Sequence, residues 1–113
     1  MKIVINTCFG GFGLSNEAIL LYGQLAGIAL VEGPAEYSMT HYYVDSVSDE
    51  NYFSYYEIAR DDGFLIEVVE TLGEAANGGH ASLKVVDIPD DIEWHLEEYD
   101  GVEHVAEAHR TWS

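Results

Sequence analysis

The stretch Ile92-Glu93-Trp94-His95-Leu96-Glu97-Glu98-Tyr99-Asp100-Gly101-Val102 decides the fold class of this chain. Apolar and polar residues alternate from Ile92 to Tyr99, which is the period of a half-buried strand. Asp-Gly then supplies two residues that tolerate positive φ, as a tight hairpin turn requires. The pattern predicts an antiparallel hairpin whose return strand begins at Val102. A helix over Val102 to His109 is also compatible, because Val102, Val105, Ala106 and His109 share a helical face, and period alone leaves the two open.

Working back from the hairpin, Pro89-Asp90-Asp91 reads as a turn and Leu83 to Ile88 as a strand. Asp61 or Asp62 caps a helix with Leu65, Val68, Val69, Leu72 and Ala76 on one face, and Asn77-Gly78-Gly79 ends it. Between Glu36 and Arg60, Tyr37, Tyr42, Tyr43, Tyr52, Tyr55 and Tyr56 suggest two aromatic strands around an acidic loop. That loop, Asp45 to Asn51, fails as a calcium loop, because Val47 stands at the third ligand position and no glycine at the sixth. At the N-terminus, Ile3 to Ile5 reads as a strand feeding the glycine-rich Cys8 to Ser15. Ser15 caps a first helix through Leu21, Leu25 and Ile28 that stops before Gly33-Pro34. The whole predicts one α+β domain over residues 1–113, with a mixed or mainly antiparallel sheet and two helices packed on one face.

Charge sets the functional limits. Against 21 Asp and Glu the chain has only Lys2, Arg60, Lys84 and Arg110, a formal net charge of −17. Direct binding to a nucleic-acid backbone or to an anionic membrane is therefore excluded by repulsion. The longest uncharged apolar stretch, Ala18 to Val31, has 14 residues, short of the roughly 20 that span a bilayer. A single cysteine, Cys8, rules out an intrachain disulfide and leans towards an intracellular setting, and no export signal is visible. Nothing in the sequence points to a cofactor.

Four places could carry chemistry. Gly11, Gly13 and Ser15, between a strand and a helix N-terminus, could offer backbone N–H groups to an anion, but no lysine follows and a third fingerprint glycine is missing. Cys8 lacks a neighbouring base or cation to activate its thiol. Among His41, His80, His95, His104 and His109, a two-residue turn places Glu97 opposite His104 with His95 along the same face; if the register holds, the three form a metal set that would suit a small metal-binding protein or a metal-assisted, hydrolase-like enzyme. Finally, Asp90, Asp91, Glu93, Glu97, Glu98, Asp100, Glu103 and Glu107 form an acidic segment without Lys or Arg. Gathered on one face, they would mimic a nucleic-acid backbone and be steered to a basic protein surface. Solvation of an ordinary acidic surface is the competing account. A homodimer through the small-residue pair Gly23 and Gly27, or through a sheet edge, would suit a structural virion component.

The chain carries the motifs Lys2-Ile3-Val4-Ile5-Asn6 with Gly10-Gly11-Phe12-Gly13-Leu14-Ser15, and Arg60-Asp61-Asp62 with Asn77-Gly78, together with Ile88-Pro89-Asp90-Asp91-Ile92-Glu93-Trp94, Glu98-Tyr99-Asp100-Gly101 and His109-Arg110-Thr111-Trp112. In these motifs the chain resembles a family of small, uncharacterised tailed-phage and prophage proteins. Members tend to carry proline after Arg-Asp-Asp, where this chain has Gly63. The resemblance brings no catalytic or binding residue with it. It implies a viral accessory protein in the cytoplasm of an infected bacterium, and the charge adds a protein partner with a basic surface.

Overall fold

The computed structural model describes residues 1–34 and 40–107. Tyr37, His109, Arg110 and the motif His109 to Trp112 lie outside the described residues. The elements are β1 (Lys2–Asn6), α1 (Asn16–Ala26), β2 (Leu30–Glu32), β3 (Tyr42–Val44), β4 (Tyr52–Phe53), α2 (Gly63–Leu72), β5 (Leu83–Asp87), β6 (Trp94–Tyr99) and β7 (Val102–Glu107), with short 3-10 turns at Asp49–Asn51, Tyr55–Glu57 and Gly73–Ala76. The class is α+β. Among the described residues all strand pairs are antiparallel, in three small sheets rather than one: β1 with β5, β2-β3-β4, and β6 with β7.

The helices follow from their caps. Ser15 Oγ accepts from Ala18 N, and Asp62 Oδ1 accepts from Phe64 N and Leu65 N, so each side chain satisfies N–H groups that the first turn leaves open. Both helices end earlier than the periodicity predicts. Gly27, at φ 73°, closes α1, leaving Ile28 and Ala29 to lead into β2. Gly73, at φ 56°, closes α2, and Asn77 instead uses Oδ1 to accept from Leu83 N. In each case a glycine inside an apolar pattern takes a backbone conformation that ends the helix before the pattern does. Gly23 is the point of close approach: a Cβ there would lie 2.7 Å from Leu30 Cδ1. Leu30 of the same chain therefore covers this position of the small-residue pair, and Gly27 is spent on the cap.

Apolar faces meet in one core of Val4, Phe12, Leu14, Ala18, Ile19, Tyr22, Tyr42, Leu65, Val68, Val69 and Ala76. Helix α2 lies on β1 and β5, and α1 packs against α2. Burial raises the pKa of Tyr22, with Asp62 adding to the effect, and of Tyr42, with Glu32 adding. Burial also raises that of Tyr55, with its bond to Tyr56 second. In the unfolded chain these phenols ionise near pH ~10. Above that the folded state holds more protons than the unfolded one, so stability falls as pH rises. Urea midpoints are expected to be flat between pH ~8 and ~9 and to drop above ~10; a midpoint unchanged at pH ~11 would contradict the burial of these rings.

One edge of β1 pairs with β5. On the other, Val4 N donates to Arg60 O (2.8 Å) and Asn6 N to Glu103 Oε1 (2.9 Å). A main-chain carbonyl outside any strand and a side-chain carboxylate thus take the places that a neighbouring strand would fill. That is why β6 and β7 stand as a sheet of their own beside β1 rather than extending its ladder.

Candidate functional site

The hairpin forms in the register the turn dictates. Asp100 (φ 51°) and Gly101 (φ 89°) make the reversal, and Glu97 faces His104, Glu98 faces Glu103 and Tyr99 faces Val102. Directly opposed residues share a face, so His95, Glu97, Tyr99, Val102 and His104 lie on one side. Trp94, Leu96, Glu98, Glu103, Val105 and Glu107 lie on the other. The residues Val102 to Glu107 are strand, which resolves the helical alternative over the described part of that segment.

This alternation divides the acidic segment, which does not form one flat face. Glu97 accepts from His104 Nε2 at 3.2 Å on the outer side. Glu98, on the opposite side, accepts from Gly101 N and stiffens the turn. Asp90 pairs with the Met1 ammonium, whose hydrogen bond and charge hold its carboxyl below the usual range. Asp91, Glu93, Asp100 and Glu107 are exposed. Glu103 departs most from the expected acidic surface: its side chain is only 10% exposed and is held by Arg60, itself 17% exposed.

That pair anchors the hairpin. Arg60 donates from both terminal nitrogens to both Glu103 oxygens, with Nη2 to Oε2 at 2.8 Å. The guanidinium also lies 3.7 Å from the centre of the Phe12 ring, an arrangement of cation over aromatic face. Asn6, fully buried, donates through Nδ2 to Gly101 O and Cys8 O, both at 2.7 Å. A Cβ on Gly101 would sit 2.5 Å from Phe9 O and 2.6 Å from Gly11 N, so the turn seats directly on the glycine-rich loop.

The glycine-rich loop is therefore occupied by its own chain. Gly11 is at φ 91°, Gly13 O accepts from Gly78 N at 3.0 Å, and Ser15 Oγ caps α1 while donating to Ala75 O. Phosphate binding by Gly11, Gly13 and Ser15 gains nothing from this arrangement. The metal set fares likewise: among the described residues no three His, Cys, Asp or Glu side chains are placed to hold an ion, and His95 does not join Glu97 and His104. Elsewhere, His41 approaches Tyr52 and His80 packs against Gly10.

Two exposed aromatics at the hairpin tip were not legible as a site. Tyr99 is 76% exposed and Phe9 73%. Phe9 belongs to the loop on which Gly101 rests, and Tyr99 lies among Glu97, Glu98 and Asp100. None of the described Lys and Arg residues, Lys2, Arg60 and Lys84, lies on β6 or β7. Lys2 is paired with Glu70 at 2.8 Å, which raises its pKa. Among the described residues, no helix is long and apolar enough to cross a membrane.

Comparison with protein-family models, curated proteins and solved structures finds no match for this chain.

Crowded carboxylates repel one another, and salt screens that repulsion. The melting temperature is expected to rise between ionic strengths of ~0.01 M and ~1 M, as the screening length falls from ~30 to ~3 Å. A melting temperature that falls over this range would show that the Arg60–Glu103 and Lys2–Glu70 pairs outweigh self-repulsion.

Proposed function

We propose that this chain is a non-enzymatic accessory protein of a tailed phage. It binds a basic surface of a host or defence protein through the β6–β7 hairpin, in the cytoplasm of the infected bacterium, where it occupies a groove meant for nucleic acid. The observation that carries this reading is the hairpin tip, where Tyr99 stands exposed among Glu97, Glu98 and Asp100, with the exposed Phe9 in the loop beneath the Gly101 turn. Tyrosine ringed by charge is the composition of an interface anchor, with steering supplied by the acids.

The acids left open to a partner are Glu97 on the outer side and Glu98 and Asp100 at the tip. Glu103 takes no part in that contact; it positions the hairpin. The test is a pull-down from bacterial lysate at low salt with the whole chain and with the variants Tyr99→Ala and Glu97→Lys/Asp100→Lys. A basic protein retained by the parent, released by salt and lost from both variants supports the reading. Retention of no basic protein, or equal retention by all three chains, would overturn it.

A further inference from the structure

Independently of the hairpin, a groove of about 710 Å³ is lined by the loop Gly10–Gly13 and the loop Asn77–Gly79 packed on it, by the start of α1 and by Tyr55 and Tyr56. Its size lies within the roughly 300–1,000 Å³ of pockets that take small organic molecules. We infer that this groove binds a neutral, planar heteroaromatic molecule of nucleoside size.

Three features select that class. The first is an aromatic wall: the Tyr55 and Tyr56 rings lie 4.5 Å apart between centres, tilted by 33°, and Phe12 braces them from 6.0 and 6.5 Å. Tyr56 is nonetheless 69% exposed, so a ring face remains open to stack on a ligand. The second is open space: a Cβ on Gly11 or Gly79 would meet nothing within 4 Å, so a flat ligand can lie close over both loops. The third is charge. In a chain with 21 acids, none of the described residues bordering the groove is Asp, Glu, Lys or Arg. Hydrogen bonding falls to side chains such as the exposed Asn16 and His80, while the Tyr56 hydroxyl is engaged by Tyr55 at 3.3 Å. A cation finds no carboxylate among these groups, and an anion is repelled at long range by the net charge of −17. A neutral π-system satisfies both conditions.

The test is a titration of the full chain, followed by amide NMR, with adenosine, cytidine, uridine and inosine in turn, then with their 5′-monophosphates and with glucose. At least one nucleoside should shift the amides of Gly11, Gly13, Gly79 and His80 saturably, and more tightly than its monophosphate. Tyr56→Ala, at an exposed position that leaves the core intact, should weaken this binding about tenfold, while Tyr56→Phe keeps it within about twofold. The inference is overturned by shifts that do not saturate or lie elsewhere, or by tighter binding of a monophosphate. Equal binding of glucose, or a Tyr56→Ala chain with parental affinity, overturns it as well.

Discussion

Glu103→Ala should remove about 3–5 kcal/mol of stability, a large share of the ~5–15 kcal/mol that holds a domain of this kind together. The cost is not the attraction between two ions in isolation. With the carboxylate gone, the Arg60 guanidinium stays pinned above Phe12 at 17% exposure with no counter-charge, and Asn6 N, in a fully buried residue, loses its acceptor. Stranding a buried charge is what makes half of such a pair so much worse than none. The double variant Arg60→Met/Glu103→Leu should therefore be less destabilised than Glu103→Ala alone, a sign of coupling between the two positions. Urea denaturation of the three chains measures both effects. A loss below about 1 kcal/mol for Glu103→Ala would mean that the pair is solvated like any surface salt bridge.

Gly101→Ala should detach the hairpin. Two costs combine there. The backbone stands at φ 89°, where an L side chain is strained by about 1–3 kcal/mol. The new methyl would also fall 2.5 Å from Phe9 O and 2.6 Å from Gly11 N, both main-chain atoms that cannot swing aside. The turn must lift, and with it goes the bond from Asn6 Nδ2 to Gly101 O. Hydrogen exchange should quicken across Trp94–Tyr99 and Val102–Glu107 while the amides of α1 and α2 keep their protection. Protection retained in the hairpin would show that the loop yields and that the turn is not seated as described. Asp100, also at positive φ (51°), should tolerate Asp100→Asn with little change, because asparagine adopts this conformation readily.

How far this could be read in advance varies with the range of the interaction. The hairpin register was legible from Asp100-Gly101 and the alternation before it, as were the caps at Ser15 and Asp62, because each signal lies within a few residues of its effect. The helix ends were not. Gly27 and Gly73 sit inside apolar patterns that continue through Ile28 and Ala76, and periodicity has no means of registering a glycine that turns left-handed. The Arg60–Glu103 pair joins residues 43 positions apart, and no local pattern distinguishes Glu103 from the acids around it. One clue was present: Arg60 is one of four cations in a chain of −17, and a scarce cation will find one carboxylate among many. The split of the acids between two faces followed from the same alternation that predicted the strand, since residues at odd and even positions must point opposite ways.

The hairpin tip is the surface proposed to meet a basic partner, and amide hydrogen exchange on the captured complex tests it most directly. Slowed exchange at Tyr99 to His104 and at the loop around Phe9, relative to the free chain, is the predicted result. Protection confined to α1, α2 or the groove beside Tyr56, with the hairpin exchanging as it does alone, would contradict it.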